Sequence, residues 1–467
     1  MNKNNSSYTT GSIRGTMLKT TLAMLAGTLA MSGYNLADTY FVGRLDGVEP
    51  LAAMGFTLPV VMLAGCVFRG MAIGVMAPMA HALGAQKLGK AAKIVTYGLI
   101  MTGIISLVIS LLGLASCEYL LRGFGAEGTT LQMAMDYMSI WYIGCFTASL
   151  SMCGNDILIA SGDNKVASMM MILGMVINVI VDPLFIFGWG LIPAMGIKGA
   201  ALATVISQFL SGLIIWLVVW KRHRLLSFEP IVLPVMLHYW RTMIRFAIPA
   251  SIGMLLMPMG MAVLTRITAQ FGDAAVGAVA AVGRLEMVAF VIPMAMGISL
   301  MPMIAQNFGA RKYDRIWECR RFAMRFAMFF LFLMAVIFFL LSDFLASKFT
   351  KEPEVQQIMI LGLSIIPWGL AGVEVHRFAG FFYTGCNHPN KAAWLNALRI
   401  VGFLIPFSLI AAYCQSIEGL FFARLAADLL AGLVGYILAR NLTWNLQQHG
   451  ITVPLDVTPP QGRQLEA

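Results

Sequence analysis

Long apolar runs recur along the whole chain, and they constrain the fold more than any other feature of the sequence. Residues 101–115, 323–341 and 400–412 lie within windows of about 20 residues, the length that an α-helix needs to cross a bilayer. Of the 467 residues, 59% are hydrophobic and 12% are charged, whereas a soluble protein carries about 25% charged residues. The sequence therefore predicts an all-α polytopic membrane protein.

Charged residues and clusters of Gly, Pro or Asn interrupt the apolar pattern at regular intervals. These breaks predict twelve transmembrane helices, and the longest connection separates the sixth from the seventh. The predicted bounds are 17–42, 51–80, 92–117, 133–161, 165–188, 197–220, 240–271, 275–306, 319–343, 356–384, 391–414 and 417–441.

The two halves of the chain repeat each other. Residues 83–87 (LGAQK) correspond to residues 308–312 (FGARK), 225 positions later. Duplicated halves in a hydrophobic chain are typical of transporters that rock one half against the other. Since six helices per half is an even number, the halves are predicted to be parallel repeats of the same orientation. Further correspondences are 51–55 with 279–283, Ser161-Gly162 with Thr384-Gly385, Pro183 with Pro406, and 196–199 with 416–419.

The repeat and the breaks together predict the organisation of the chain. Its parts are an N-terminal tail at 1–16, a six-helix lobe at 17–220, a linker at 221–239, a second six-helix lobe at 240–442 and a C-terminal tail at 443–467.

Basic residues predict the orientation, because cytoplasmic loops carry an excess of Lys and Arg. Alternate loops hold most of these residues, among them Lys87, Lys165, Arg222 and Arg311, so both tails and the linker are expected to be cytoplasmic. The same bias accounts for the net charge of +10 without a nucleic-acid partner. The predicted location is the cytoplasmic membrane of a prokaryote, with membrane lipids as surroundings and the chain acting as a monomer.

Several classes of site are not indicated by the sequence. The seven cysteines form no CxxC pair, so neither a disulfide framework nor a structural metal site is expected. The motifs GxxxxGK[ST], HExxH and GxSxG are absent, and no enzyme activity or cofactor is predicted. The first apolar run is too long for a cleavable signal peptide and is expected to remain as a membrane helix. Energy for transport would then come from an ion gradient, unless a separate ATPase subunit exists.

Two acids at membrane depth in the first half form the strongest candidate site. Asp38 lies near the outer end of the first helix, four residues after Tyr34, and Asp182 lies at the corresponding end of the fifth, four residues after Asn178. Each pair therefore shares a helix face. An ionisable group inside a bilayer costs at least about 2.5–3.5 kcal/mol. Two such acids with polar neighbours predict a proton-binding or sodium-binding site, against the alternative that Asp38 caps a helix and Asp182 marks a boundary.

Other ionisable residues in the apolar segments are weaker candidates. Glu286 is expected to form an ion pair with Arg284 or Arg266, or to act in a relay. Asp428 and Arg424, four residues apart, are expected to neutralise each other. A second proton relay is predicted at Glu374 and His376, beside Arg377.

These features resemble the multidrug and toxic compound extrusion (MATE) family over residues 15–445. Three segments resemble the family's motifs: Asp38-Thr39 followed by Val42-Gly43, the paired 82–85 and 307–310, and the run NVIVDPLFIFG at 178–188. The DinF-like branch is the most similar. The other branch relies on a glutamate in helix seven, where this chain has Met257. Residues 17–42 contain no proline, so the helix-one bend associated with a proline in some relatives is not expected.

The resemblance implies a twelve-helix antiporter that exports lipophilic, often cationic compounds in exchange for protons or sodium ions. It carries the cation site over to Asp38, Asn178 and Asp182. The residues Tyr34, Asn35, Asp38 and Asn178 are predicted to contact substrate. A flippase for lipid-linked oligosaccharides is the closest alternative, and a non-transporting receptor or scaffold is a more distant one. Substrate identity, the coupling ion and the resting conformation are left open.

Overall fold

The computed structural model describes residues 7–190 and 192–450, and over these residues the chain is helical without a β-strand. This confirms the predicted all-α fold with twelve long helical segments in two repeats. The bounds are α1 Ile13–Val42, α2 Glu49–Gly84, α3 Leu88–Gly123, α4 Gly128–Ala160, α5 Asn164–Ile186, α6 Ile197–Lys221, α7 Leu233–Thr268, α8 Asp273–Gly309, α9 Tyr313–Leu340, α10 Ser342–Phe349, α11 Pro353–Ile365, α12 Leu370–Gly385, α13 Pro389–Ala397, α14 Ile405–Tyr413 and α15 Ile417–His449.

Two of the predicted membrane helices are interrupted rather than continuous. A 3₁₀ turn, Ile366–Gly369, joins α11 to α12 at Pro367, and a π-helical segment, Leu398–Leu404, joins α13 to α14 before Pro406. Proline has no backbone N–H to donate, so the regular i→i−4 ladder is disturbed around it. Hydropathy alone merges each pair into one apolar run.

Eleven helical segments of the described residues are long and apolar enough to cross a membrane, and α1 is not among them. The first predicted membrane helix is the most polar of the twelve, with several hydroxyl residues. The hydroxyls of Thr20, Thr21 and Thr28 each donate to a backbone carbonyl three or four residues earlier. Such bonds satisfy the hydroxyls within the helix itself and so reduce the cost of placing them in lipid.

Most helices extend beyond the predicted ends. The first begins at Ile13 instead of residue 17, and α15 continues to His449 instead of residue 441. Residues 443–449, predicted as part of the C-terminal tail, are therefore helical. Thr443 is fully buried and its hydroxyl accepts a 2.8 Å hydrogen bond from Arg320 Nε. Tertiary packing holds these polar turns, whereas the hydropathy pattern ends with the apolar residues. The remainder of that tail, and residues 1–6, lie outside the described residues.

Equivalent turns in the two halves have the same backbone geometry. Gln86 and Arg311, 225 residues apart, have φ angles of 59° and 57°. The backbone N–H groups of Ala85, Gln86 and Lys87 bond to the same relative carbonyls as those of residues 310–312.

A second pair of turns corrects the predicted register of the repeat. Gly162 (φ 85°) has its counterpart in Asn387 (φ 67°), again 225 residues later, with matching hydrogen bonds. The predicted pairing of Ser161-Gly162 with Thr384-Gly385 was therefore wrong by two residues. The shared glycine was misleading because Asn also adopts the left-handed conformation that this turn requires.

The described chain divides into two compact units, which differ from the predicted lobes. Unit one comprises residues 7–10 and 22–251, and unit two comprises residues 11–21 and 252–450. The division lies inside α7, not at the predicted linker 221–239. The first half of α7 packs on unit one, where Trp240 Nε1 donates to the carbonyl of Tyr97 at 2.9 Å.

Close approach of α7 to α2 depends on two glycines, Gly70 and Gly74. A Cβ at Gly74 would lie 2.8 Å from the Ala247 Cβ and 2.8 Å from the Met243 carbonyl oxygen. We expect Gly74→Ala to lower the free energy of unfolding by about 1–3 kcal/mol, because an added methyl group overpacks this contact. Gly55→Ala is the matched control, since nothing lies within 4 Å of a Cβ there.

The measurement is the unfolding midpoint of each purified variant in detergent. Gly55→Ala is expected to leave the midpoint unchanged or to raise it, because alanine favours the helix by up to about 1 kcal/mol. Equal midpoints for the two variants would show that the α2–α7 contact accommodates the added methyl group without loss of stability.

The turn between α4 and α5 is fixed by an ionic cluster outside the helices. Arg222 Nη2 lies 2.9 Å from Asp163 Oδ2, and the buried His223 Nε2 lies 3.3 Å from the same oxygen. The hydrogen bond with His223, followed by the charge of Arg222, holds the pKa of Asp163 below its usual value. These contacts connect the turn to the end of α6.

Asp163→Asn is expected to lower the free energy of unfolding by about 1–3 kcal/mol at neutral pH, the range for hydrogen bonds to a charged group. A depressed carboxyl pKa stabilises the fold above the unfolded-state value, about 3.9, and this stabilisation is lost as pH falls through the lower folded-state value. The difference in the free energy of unfolding between variant and parent should therefore persist at pH 5–8 and shrink below about pH 4. Unfolding midpoints across pH test this, with exposed Asp46→Asn as control.

Candidate functional site

The predicted acid and amide of α5 are fully buried and bonded to each other. Asn178 and Asp182 are one helical turn apart, and Asn178 Nδ2 donates to Asp182 Oδ1 at 3.0 Å. The bond fixes the amide so that its oxygen, Asn178 Oδ1, is directed away from Asp182. Within the described residues neither this oxygen nor Asp182 Oδ2 has a hydrogen-bond partner. Two acceptors are thus left available in one turn of helix.

The first helix approaches α5 through two glycines. A Cβ at Gly27 would lie 2.9 Å from Ser168 Oγ, and one at Gly33 would lie 3.1 Å from Met175 Sδ. Helix α1 is continuous through both glycines. Their missing side chains let the two helices approach closely.

Asp38 is brought into the same site by this packing. Its side chain is 8% exposed, and its Oδ1 has no hydrogen-bond partner among the described residues. Asp38 and Asp182 lie close enough for each charge to act on the other. Asp38 thus lies near Asp182, which is bonded to Asn178, and a cation site at these three residues stays a prediction.

Two further residues belong to this cluster and were missed by the sequence analysis. Tyr137 of α4 interacts electrostatically with both acids and with Tyr34, and Thr204 of α6 lies next to the hydroxyls of both tyrosines. The hydroxyl residues of α6 give a weak indication that Thr204 belongs to the cluster. Ser207 and Ser211, on the same face as Thr204, donate to backbone carbonyls, whereas Thr204 Oγ1 is buried without a partner among the described residues.

The four residues predicted to contact substrate differ in their positions in the structure. Tyr34 lies in the cluster, and its hydroxyl has no hydrogen-bond partner within the described residues. The side chain of Asn35 lies outside the described residues. Asp38 and Asn178 are too deeply buried to offer a broad surface to a drug-sized molecule.

The cluster contains several buried oxygen atoms, the ligand type that small hard cations prefer. Within residues 7–190 and 192–450, three of its acceptor oxygens are buried without a hydrogen-bond donor, Asp38 Oδ1, Asn178 Oδ1 and Asp182 Oδ2, and the hydroxyls of Tyr34 and Thr204 are buried beside each other. Leaving buried polar atoms unpaired costs about 1–3 kcal/mol each, more for charged groups. A bound proton would neutralise one carboxylate, and a sodium ion would satisfy several oxygens at once.

The ion pairs of unit two agree only in part with those predicted. Asp428 and Arg424 form the expected ion pair, at 3.9 Å, but the two hydrogen bonds of Asp428, at 2.8 and 3.0 Å, come from Arg399. Glu286 pairs with Arg424 of α15, not with Arg284 or Arg266, since Arg424 Nη2 donates to Glu286 Oε2. For Glu286 nearness in sequence was misleading, because its partner lies on a different helix.

The predicted second relay is divided between two partners. Arg377 Nη2 donates to the buried Glu374 Oε1 at 2.6 Å. His376 Nε2 lies 3.2 Å from Asn396 Oδ1. No hydrogen bond joins Glu374 to His376 within the described residues, so a relay through both stays a prediction.

Twelve long helical segments in two repeats, with a carboxylate and oxygen cluster at membrane depth, are the features of a membrane transport protein. The profile of the MatE family matches the chain twice, at residues 23–184 and 249–410, and so reproduces the repeat. The chain belongs to the MatE family.

Similar proteins cover nearly the whole chain. The FAD transporter of Shewanella oneidensis is 31% identical over 431 residues, 91% of this chain and 94% of the relative. The multidrug export protein MepA of Staphylococcus aureus is 24% identical over 434 residues, again 91% and 94%. The solved structure of the Vibrio cholerae MATE transporter VcmN in its bent form has 29% identity and a TM-score of 0.87, covering 95% of this chain and 99% of that one.

Proposed function

We propose that this protein is a secondary active exporter that exchanges a small molecule for protons or sodium ions. The observation that supports this most directly is the buried oxygen cluster around Asp38, Asn178 and Asp182, which has unpaired acceptors and, among the described residues, no basic group acting on either acid. The proposal agrees with the DinF-like branch, whose cation site lies in the first half of the chain. It also places the protein in the prokaryotic plasma membrane with both termini cytoplasmic.

The coupling follows from the cost of a buried charge. With both carboxylates ionised, the cluster favours an arrangement that admits water or an ion. Binding of a proton or sodium ion from the outside removes that cost and favours a second arrangement of the carrier. Since a ligand shifts such an equilibrium only by its differential affinity, the ion must bind the two arrangements unequally. Release of the ion to the cytoplasm then resets the carrier.

The expected cargo is a lipophilic or cationic compound, as in the multidrug relative. A second candidate is a flavin dinucleotide. It is favoured by the FAD transporter, which has a higher identity to this chain than MepA has, 31% against 24%, over the same 91% of the chain. The acids of the ion cluster do not decide between the two, because Asp182 is fully buried and Asp38 nearly so.

Uptake into inside-out vesicles tests the coupling and the cargo together. Vesicles with an acidic lumen, or with a sodium-loaded lumen at equal pH, are supplied with ethidium or with FAD, and accumulation is followed by fluorescence. We expect accumulation that requires one of the two gradients and stops when that gradient is collapsed with a matching ionophore. Accumulation that persists after both gradients are collapsed would contradict the proposal.

A further inference from the structure

Arg320 of α9 is a buried cation that forms no ion pair within the described residues. The residue is 5% exposed, its Nε donates to Thr443 Oγ1 at 2.8 Å, and its guanidinium carbon lies 5.7 Å from the centre of the Tyr436 ring. No hydrogen bond joins its Nη1 or Nη2 to another described residue. A buried charge without a counter-charge is costly. This position therefore needs an anion from outside the described residues.

Other largely buried arginines of unit two are neutralised by acids. Arg399 and Arg424 pair with the carboxylates already described. On α9 the acids nearest to Arg320 in sequence are Glu318 and Asp314, and within the described residues neither forms an ion pair with it. Arg320 thus differs from these arginines in its lack of a carboxylate partner.

Two further cations lie close to Arg320. Arg321 of α9 and Arg440 of α15 are near enough for their charges to act on it. Both are exposed, and the guanidinium carbon of Arg321 lies 4.3 Å from the centre of the Trp317 ring. Like charges repel one another at short range, and a bound anion removes this repulsion. Arg320, Arg321 and Arg440 form an arginine cluster that no acid of the described residues neutralises by an ion pair.

The arginine cluster lies where the exposed surface of both helices changes in polarity. On α9 the exposed residues before residue 326 are charged, and those after it are apolar. On α15 the exposed residues from 420 to 439 are apolar, and those from Arg440 to its end are polar except Trp444. Such a change is typical of the membrane–water interface, where tryptophan is also enriched. The exposed apolar residues are Met328, Phe329, Phe332, Leu333, Phe339 and Leu340 on α9, and Phe422, Leu429, Leu430, Leu433 and Ile437 on α15.

Contacts between the two helices bring these boundaries together. Gln447 Nε2 of α15 donates to Asp314 Oδ1 of α9 at 2.8 Å, and Thr443 of α15 accepts from Arg320 of α9. The start of α9 therefore lies beside the end of α15. The polar end of one helix adjoins the polar end of the other, and the arginines mark the level at which both become apolar.

Arg440 continues an exposed stripe of α15. Leu433, Ile437, Arg440 and Trp444 follow one another at intervals of four, three and four residues and so share a helix face. Leu433 is 55% and Ile437 45% exposed. A ligand whose charged group binds Arg440 can therefore place an apolar part along Leu433 and Ile437.

We propose that the arginine cluster binds the phosphate of an anionic phospholipid and that Leu433 and Ile437 contact its acyl chains. The guanidinium presents planar, paired donors that suit a phosphate, and basic pockets between membrane helices hold lipid head groups in this way. A soluble phosphate would match the charge but would leave the apolar stripe uncovered. The lipid site belongs to unit two and the ion cluster to unit one, so the lipid site does not depend on the transport proposal.

The test is a lipid titration of the purified full-length protein in detergent, followed by native mass spectrometry. Phosphatidylglycerol, which is anionic, and phosphatidylcholine, which is zwitterionic, are compared with the same acyl chains. We expect the parent protein to bind the first phosphatidylglycerol at least about tenfold more tightly, the gain of one charge-assisted contact. Arg320→Gln should remove this preference. Arg440→Gln should weaken phosphatidylglycerol binding about fivefold, the contribution of one arginine near an anionic head group.

The matched control is Arg284→Gln, which removes an exposed arginine from α8 of the same unit. Arg284 lies roughly 38 Å along the helix axis from Gly309, the end of α8 that precedes α9, at 1.5 Å per residue. This variant should keep the affinity and the preference of the parent. A parent protein that binds both lipids equally, or an Arg320→Gln protein that keeps the preference, would overturn the inference.

Unfolding midpoints in detergent give a second measurement, which does not depend on the folding of Arg320→Gln. A ligand that binds only the folded protein stabilises it, so phosphatidylglycerol should raise the midpoint of the parent more than that of Arg440→Gln. Glycerol 3-phosphate at the same concentration should leave the midpoint of the parent unchanged. An equal rise with glycerol 3-phosphate would assign the cluster to a soluble phosphate and overturn the lipid site.

Discussion

Asp38→Asn is expected to reduce gradient-driven uptake into inside-out vesicles by at least about tenfold. The amide has nearly the shape of the carboxyl group but cannot release a proton and carries no charge to hold sodium. The two arrangements of the carrier would then have the same affinity for the ion, and an ion gradient could not shift their equilibrium. Flux under the favourable gradient in reconstituted vesicles is the measurement.

The variant is expected to remain folded, since replacing a buried ionisable group by a neutral one removes a desolvation cost. Its unfolding midpoint in detergent should match or exceed that of the parent. Asp136→Asn is the matched control: it removes a partly exposed carboxylate of α4 that lies 3.3 Å from Lys198, outside the cluster. Normal flux in the folded Asp38→Asn protein would refute the assignment of the ion site.

Arg399→Met is expected to give the largest loss of stability, about 3–5 kcal/mol, because it removes the hydrogen-bonded partner of a buried charge. Asp428 is 1% exposed, and both of its close bonds, at 2.8 and 3.0 Å, come from Arg399. Arg424 also pairs with Asp428, at 3.9 Å, but it is shared with Glu286 and makes no hydrogen bond to Asp428. Denaturant titration in mixed micelles gives the free energy of unfolding.

The double variant Arg399→Met, Asp428→Asn separates loss of packing from loss of charge compensation. With the carboxylate removed as well, most of the stability should return. Arg122→Met is a control for an exposed pair, since Arg122 and Glu118 lie on the surface and such pairs contribute about 0–1 kcal/mol. A double variant as unstable as Arg399→Met alone would show that the arginine acts by packing.

The repeat could be read from the sequence because both copies require the same backbone. Residues 86 and 311 adopt the same left-handed conformation with the same hydrogen bonds, and similar residues at such turns preserve a visible motif. The register failed where two different residues, Gly162 and Asn387, satisfy one conformational requirement. The two halves therefore correspond more closely in backbone geometry than in residue identity.

The acids of the candidate site could also be predicted, because a carboxylate in an apolar run stands out. Their neutral partners could not. Tyr137 and Thr204 are ordinary residues on α4 and α6, and nothing in their local sequence distinguishes them from other tyrosines and hydroxyls of membrane helices. Their place in the cluster follows from tertiary packing, which brings Tyr137 of α4 and Thr204 of α6 next to Tyr34 of α1.

The sequence by itself determined that the chain is a duplicated helical membrane protein with acids at membrane depth in its first half. Apolar length and ionisable type are local properties, so they can be read one segment at a time. The tertiary structure alone decided which groups come together: Glu286 with Arg424, 138 residues apart, and the carboxylate of Asp38 with that of Asp182 on α5. Pairing depends on the packing of distant helices, which no single segment of the sequence contains.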